Sequence, residues 1–438
     1  MRQAASGPSL PRSFWWLWGS VLISRLGSFT ATFLVLYLTA GRGYSASFAG
    51  LVAALFGAGG VVGSLTGGVL ADRVGRRATL LVAQVTAAGL TTALGFADRP
   101  VLIVVFACAT GAASSASRPV VQTVMADVVP AAQRVRAFSL YYWAINLGFA
   151  VAAATAGYLS VHGYRWLFVV EAATGLLSAL VILIMLPETR ADSGDVGERV
   201  TEQRAVGLRA VLRDGPFMAA VGLSFLLIVV FQQAAVGLPI AMGRDGLTGT
   251  QYGLVISVNG ILIVALQLPL GRVLEHPDPG RLLVLASLLC GCGFGLNALA
   301  GSAPVYAIAV LVWTLGEIVH SPLNMGLIAR LSPPHATGRY QGVHSLAWAT
   351  ATIAAPLTGG SVIDRFGPDT LWAVCAALGV CAAVGYGALL LSPPGPYRQP
   401  GPRITVAVWQ RRRRAARPDQ YCPEPPHAAH RAPGRPKT

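Results

Sequence analysis

Twelve apolar runs, each long enough for a membrane-crossing helix, constrain this chain more than any other feature. They fall at about 14–39, 47–70, 78–97, 100–124, 138–160, 166–186, 216–241, 250–271, 281–300, 303–329, 340–362 and 370–391. A spanning helix needs about 20 predominantly apolar residues. In lipid each backbone N–H and C=O must be satisfied inside its own segment, so helices are the expected form. A transmembrane barrel would show shorter segments of alternating hydropathy. Only 12% of the residues are charged, against about a quarter in soluble domains. The first run exceeds the apolar core of a signal peptide and lacks a small-residue cleavage site, so it is read as a span.

The net charge of +15 raises the question of a nucleic-acid partner. Its distribution points instead to a lipid bilayer. Leaving out the segment after residue 391, alternate loops carry 16 Lys and Arg on one side and five on the other: Arg42, Arg99, Arg165, Arg244 and Arg365. This positive-inside bias predicts that both termini are cytoplasmic. One lysine, Lys437, stands against 32 arginines. That usage suggests a GC-rich bacterial genome, hence a multi-pass protein of a bacterial inner (plasma) membrane. Of the six cysteines, Cys290 and Cys292 are read as small packing residues of one apolar helix rather than metal ligands.

The spans divide six and six. The expected organisation is a cytoplasmic segment 1–13, a helical bundle 14–186, a cytoplasmic linker 187–215, a second bundle 216–391, and a basic, Pro-rich tail 392–438 expected to be disordered. The linker is the densest mixed-charge stretch and predicts a short interfacial helix near 202–213. Ser139-Leu140-Tyr141-Tyr142-Trp143-Ala144 opens the fifth span, and Ser345-Leu346-Ala347-Trp348-Ala349 lies early in the eleventh, a trace of duplication. Repeat halves of this kind place a substrate site near the midplane between them.

Between the second and third spans lies Gly67-Gly68-Val69-Leu70-Ala71-Asp72-Arg73-Val74-Gly75-Arg76-Arg77. It resembles the signature hairpin of the major facilitator superfamily, with Gly68, Asp72, Arg73, Gly75, Arg76 and Arg77 filling each signature position. The resemblance covers residues 14–391. It implies an all-α integral membrane protein of twelve transmembrane helices in two six-helix pseudo-repeat bundles. It also implies that the aspartate caps a neighbouring helix, and that the arginines form ion pairs that latch one access state. Arg118-Pro119 with Ala126-Asp127, Pro130 and Arg134 is similar to the fourth-span pattern of bacterial drug-efflux members, which makes Asp127 and Arg134 further latch residues. The fifth span has Ala152-Ala153 where drug antiporters carry Gly-Pro, a departure from that subclass. The corresponding loop of the second half is degraded to Gly271-Arg272-Val273-Leu274-Glu275. Gly59, Gly63 and Gly67 share one face of the second span and predict close helix contact, either within one half or between the halves.

Charges inside spans mark candidate sites, because one at a helix centre costs about 2.5–3.5 kcal/mol on insertion scales. Arg25 lies mid-span and fits either an anionic ligand or a carboxylate partner. Arg118 lies toward the inner end of the fourth span. In the tenth span Trp313, Glu317, His320 and Asn324 follow at i, i+4, i+7 and i+11, one stripe of a helix. Glu317 is the candidate proton-coupling group, with His320 as relay or ligand; a buried carboxylate paired with Arg25 or another residue is the alternative. Tyr142, Asn146, Gln232 and Asn259 are expected to line the cavity, as are Tyr37, Gln233, Gln267, His344 and Trp348. Glu171 is expected to reach the outer surface, with a gate or a second titrating group as the alternative.

The expectation is a secondary transporter working by alternating access, and most specifically proton-coupled efflux of a drug-like or amphipathic compound by a monomer. An importer of a sugar or other metabolite, proton-coupled or facilitative, stays open. So does a polytopic sensor or enzyme, although no P-loop, metal-ligand cluster or nucleophile motif is visible. No cofactor is expected; a proton gradient would supply the energy.

Overall fold

A computed structural model describes residues 10–130, 133–186, 208–273, 278–333 and 336–391. The expectations for residues 1–9, for most of the linker, for Leu274 and Glu275 of the degraded loop and for the tail lie outside these residues. The helices are α1 (Arg12–Leu26), α2 (Thr30–Leu36, continued by a π turn Tyr37–Gly41), α3 (Ala46–Val74), α4 (Arg76–Gly95), α5 (Pro100–Val128), α6 (Arg134–His162) and α7 (Arg165–Met185). They continue with α8 (Leu208–Leu212), α9 (Gly215–Gln232), α10 (Gly237–Arg244), α11 (Gly249–Val273), α12 (Pro279–Leu296), α13 (Ala303–Leu331), α14 (Thr337–Phe366) and α15 (Pro368–Leu391). Together they provide twelve segments long and apolar enough to cross a membrane among the described residues, at the twelve runs read from the sequence. The short α8 falls within the stretch where an interfacial helix was expected.

Local chemistry sets the helix ends. Ser45 Oγ accepts from the Phe48 amide at 3.2 Å and Asp214 Oδ1 from the Phe217 amide at 3.2 Å, each satisfying an orphan donor of a first turn. Prolines occupy the first turns of α5, α9, α12 and α13, where the missing N–H is no loss. Gly75 ends α3 and begins α4 at φ 108°, a conformation that side chains rarely adopt. The signature hairpin therefore needs glycine at this position on backbone grounds alone.

The first and seventh spans are each broken, at Gly27–Phe29 between α1 and α2 and at Gln233–Val236 between α9 and α10. The sequence reading had continuous helices at both. The two breaks occupy corresponding positions in the two halves, and discontinuous spans of this kind mark substrate regions in repeat-built carriers.

Packing within the halves and between them differs along the molecule. Gly59, Gly63 and Gly67 of α3 face the backbone of α5 at Cys108, Ala112 and Ala116, where a methyl group has no room. This glycine face thus joins two helices of the first half. It does not form the interface between halves. That interface uses other glycines: Gly50 of α3 against Pro356 and Gly360 of α14, and Gly157 of α6 against Gly253 of α11. One buried cluster draws on both halves, from Phe33 and Leu36 to Tyr252, Trp313 and Trp372. Two further clusters stay separate, one built from residues of the first half around Phe14, Leu80 and Val124, the other from the second around Phe217, Leu283 and Tyr386. The halves are therefore packed at one end and apart at the other.

Candidate functional site

The closed end is tied by polar contacts. Asp364 of α14 accepts from the Ala46 amide at 3.2 Å and the Ser47 amide at 2.6 Å, so a carboxylate of the second half caps the start of α3 in the first. Arg244 lies 3.6 Å from the same carboxylate, and Arg42 pairs with Asp98 at 3.0 Å. The Tyr252 hydroxyl donates to the Thr32 carbonyl across the halves at 3.1 Å.

The signature hairpin sits at the opposite, open end. Arg76 forms an ion pair with Asp127, joining the start of α4 to the end of α5. Arg77 donates to the Leu183 carbonyl of α7, and Arg134 Nε donates to the Val129 carbonyl at 3.4 Å. Asp72 and Arg73 are exposed and have no hydrogen-bond or ion-pair partner among the described residues, and Gly68 has open space beside it. Of the expected latch, Arg76 and Asp127 are the pair brought together in this conformation, and both belong to the first half.

A cavity of about 500 Å³ opens between α6 and α11 at this end. Its walls include Arg134, Phe138, Tyr142 and Asn146 from α6 and Val264 and Gln267 from α11. The Tyr142 hydroxyl lies beside the side chains of Asn146 and Gln267, and Glu317 of the tenth span acts on it electrostatically. Glu317 Oε2 accepts from Asn259 Nδ2 at 2.8 Å, and the same amide donates to Thr314 Oγ1 at 3.1 Å. No ion pair links Glu317 to Arg25 among the described residues.

The rest of the tenth-span stripe does something different. Trp313 is 3% exposed and stacked on Phe294, so it belongs to the core rather than to the cavity wall. His320 is buried, with Nε2 3.3 Å from the Tyr386 hydroxyl. Tyr386 and Ser224 both donate to Asn324 Oδ1, at 3.0 and 2.8 Å. His320 and Asn324 therefore sit in one buried network with Tyr386 and Ser224, and the direct partner of Glu317 is Asn259. The sequence reading missed Tyr386, Ser224 and Thr314, which sit in apolar surroundings with nothing to single them out.

Arg25 lies in the last turn of α1, just before the break in the first span. Its β carbon packs on Gly148 of α6, and its charge lies within electrostatic reach of Arg118, Tyr141 and Glu171. Glu171 does not reach the outer surface as expected. It turns inward, and Oε2 accepts from the Phe29 amide at 3.1 Å, the Thr30 amide at 2.7 Å and the Thr30 hydroxyl at 2.6 Å. At the second break Gln233 Nε2 donates to the Ala355 carbonyl at 3.0 Å, while Gln232 stays half-buried. Tyr37 is also not a cavity residue; it packs between Tyr164 and Phe168.

Twelve membrane-crossing helices in two halves, packed at one end and parted at the other around a largely apolar cavity, fit a polytopic membrane transporter. The chain belongs to the Major Facilitator Superfamily, whose sequence profile matches residues 17–356. The uncharacterized MFS-type transporter YqjV of Bacillus subtilis is 26% identical over 80% of this chain and 85% of its own length. The multidrug resistance protein MdtH of Aeromonas hydrophila is 25% identical over 72% of this chain and 79% of its own. A Na(+), Li(+), K(+)/H(+) antiporter of Planococcus maritimus is 25% identical over 68% and 77%. Among solved structures, the nucleoside transporter NupG superposes with a TM-score of 0.73 at 14% identity, over 85% of this chain and all of its own, which is a likeness of fold.

Proposed function

We propose that this protein is a proton-coupled secondary transporter that exports an amphipathic, drug-like solute by alternating access, with Glu317 as the coupling group. The observation that carries the reading is the position of Glu317. It is a half-buried carboxylate in the middle of a span, with the neutral amide of Asn259 as its hydrogen-bonding partner. A carboxyl so placed can take up and release a proton when water reaches it from either end. The multidrug and cation/H(+) antiporter relatives support the same chemistry. The positive-inside bias puts the signature hairpin and both termini in the cytoplasm of a bacterium, so the open end faces inward. The Arg76–Asp127 pair then steadies that state as part of the latch. The protein works as a monomer without a cofactor and catalyses no covalent step.

The test is substrate-driven proton movement in proteoliposomes, with wild type and Glu317→Gln, across a panel of dyes, antibiotics and sugars. Proton flux opposite to substrate flux, lost in Glu317→Gln, is the expected result. Co-directional flux would make the protein a symporter. Full coupling in Glu317→Gln would remove the carboxyl from the mechanism.

A further inference from the structure

α6 carries a second hollow, on its side toward α1. It holds about 490 Å³ and is lined by Trp15 and Trp18 of α1 and by Arg136, Ser139, Leu140 and Trp143 of α6. Trp18 and Trp143 stack with ring centroids 6.4 Å apart, and Trp15 meets Trp18 edge-on at 5.8 Å. Trp18 Nε1 donates to the Leu140 carbonyl at 2.9 Å, which ties the ring to α6. Arg136 is exposed and has no hydrogen-bond or ion-pair partner among the described residues. The first turns of α1 and α6 hold no acidic residue, and the free amides at the start of α6 add positive potential. The groove therefore sets one unpaired cation and a positive helix end beside an aromatic wall.

Depth in the membrane matches that chemistry. Trp15 and Arg136 lie at the starts of α1 and α6, the end of the molecule that carries the signature hairpin. Tryptophan concentrates at headgroup level, and basic pockets between spans on the cytoplasmic side bind the headgroups of anionic lipids. The groove also does not end in protein. Leu140, Trp143, Leu147 and Val151 follow at three- and four-residue spacing on one face of α6. The contacts with α11 lie on the neighbouring face, at Asn146, Ala150 and Gly157. Val151 is 42% exposed and lines neither cavity, so the stripe is open to lipid. From Arg136 to Val151 the helix rises about 22 Å, the depth of one headgroup layer and one leaflet of a hydrocarbon core about 30 Å thick.

We propose that the groove between α1 and α6 is a binding site for an anionic phospholipid, with the headgroup on Arg136 and an acyl chain laid along Trp18, Trp143, Leu147 and Val151. The guanidinium fork matches the phosphate oxygens, and the tryptophans and the stripe below them cover the chain. The site is separate from the cavity between α6 and α11, although both touch Ser139 and Trp143. It depends neither on the direction of transport nor on the role of Glu317.

The experiment is native mass spectrometry of the full-length protein released from detergent micelles that contain phosphatidylglycerol or phosphatidylcholine with the same acyl chains. Wild type should hold its first phosphatidylglycerol about fivefold more tightly, the scale of one arginine beside an anionic headgroup. Arg136→Gln should bring the two lipids level, and Arg136→Lys should keep most of the preference. Trp143→Ala should weaken both lipids without changing their ratio. Arg209→Gln, which removes an exposed charge from α8, should leave the ratio as in wild type. Unfolding midpoints of the lipid-free variants, measured first, show that each is folded; Arg136 is exposed, so its Gln variant should match wild type. Neither inorganic phosphate nor naphthalene-2-sulfonate in excess should displace the lipid, since neither carries an acyl chain. Equal retention of the two lipids by wild type, a preference that survives Arg136→Gln, the same loss in Arg209→Gln, undiminished retention in Trp143→Ala, or displacement by phosphate would each overturn the assignment. Displacement by the sulfonate would overturn it in favour of a soluble aromatic anion.

Discussion

Glu171 in the sixth span holds Thr30 in the first, accepting from both its amide and its hydroxyl through a single carboxylate oxygen. The contact explains why a transmembrane helix can stop and restart at Gly27–Phe29 inside a membrane. Breaking a helix there frees amides that lipid cannot satisfy. Glu171 satisfies that of Thr30 and shares that of Phe29 with the Gly27 carbonyl.

The expected effect of Glu171→Leu is a loss of about 1–3 kcal/mol, the cost of leaving buried donors unpaired. Glu171→Gln keeps an acceptor oxygen and should lose less. Thermal unfolding in detergent measures both, and equal stability of Glu171→Leu and wild type would mean that water or another group supports the break.

Much of the architecture was legible because the membrane enforces it. Each of the twelve spans announces itself through a long, predominantly apolar run, and the signature hairpin through charges that must stay at the interface. The breaks were not legible. Gly27-Ser28-Phe29 contains no proline, and its support comes from residue 171, far along the chain. The tenth-span stripe was half legible. Spacing says that Trp313, Glu317, His320 and Asn324 share a side of α13, but whether that side meets the cavity or another helix depends on neighbours that spacing does not reveal. Phe294 covers Trp313, and Tyr386 covers His320 and Asn324.

Glycines of α3 separate into two kinds. A β carbon at Gly63 would collide with the backbone of Ala112 on α5, and backbone cannot swing aside as a side chain can. Gly63→Val should therefore be destabilising by at least the 1–3 kcal/mol typical of overpacking. Gly68, five residues on, has open space, so Gly68→Ala should change stability by less than about 0.5 kcal/mol. Unfolding midpoints of the purified variants check the contrast, and a Gly68→Ala protein that is stable yet slow in transport would locate the need for this glycine in the other access state.

The closed end predicts a lock. A β carbon on Gly249 of α11 would stand 3.0 Å from the Ser160 β carbon of α6, inside the roughly 3.5–4.5 Å that a disulfide spans, so a small parting of the two helices accommodates the bond. In a background without the native cysteines, Ser160→Cys with Gly249→Cys should cross-link on oxidation, stop transport, and recover on reduction. Transport that continues in the fully oxidised protein would show that this end does not need to part during the cycle.

The Arg76–Asp127 pair offers a test of the latch in which charge and position are separated. Arg76 is mostly covered and Asp127 more exposed, with side-chain exposures of 11% and 39%, so solvent screens part of the attraction. The pair should therefore contribute no more than about 1 kcal/mol to overall stability. Its effect on the balance between access states can be larger in consequence, since a shift of 1.4 kcal/mol changes a population ratio about tenfold. Arg76→Asp places two carboxylates together and should loosen α4 from α5, shifting the protein away from the state open at the hairpin. Arg76→Asp combined with Asp127→Arg restores an opposite-charge pair and should recover most of the loss. Cysteine accessibility at Tyr142 on the cavity wall, read with a membrane-impermeant maleimide, reports the open state directly: lower labelling in the single variant, recovery in the double. A single variant that labels like wild type would leave the pair as a surface contact with no part in the latch.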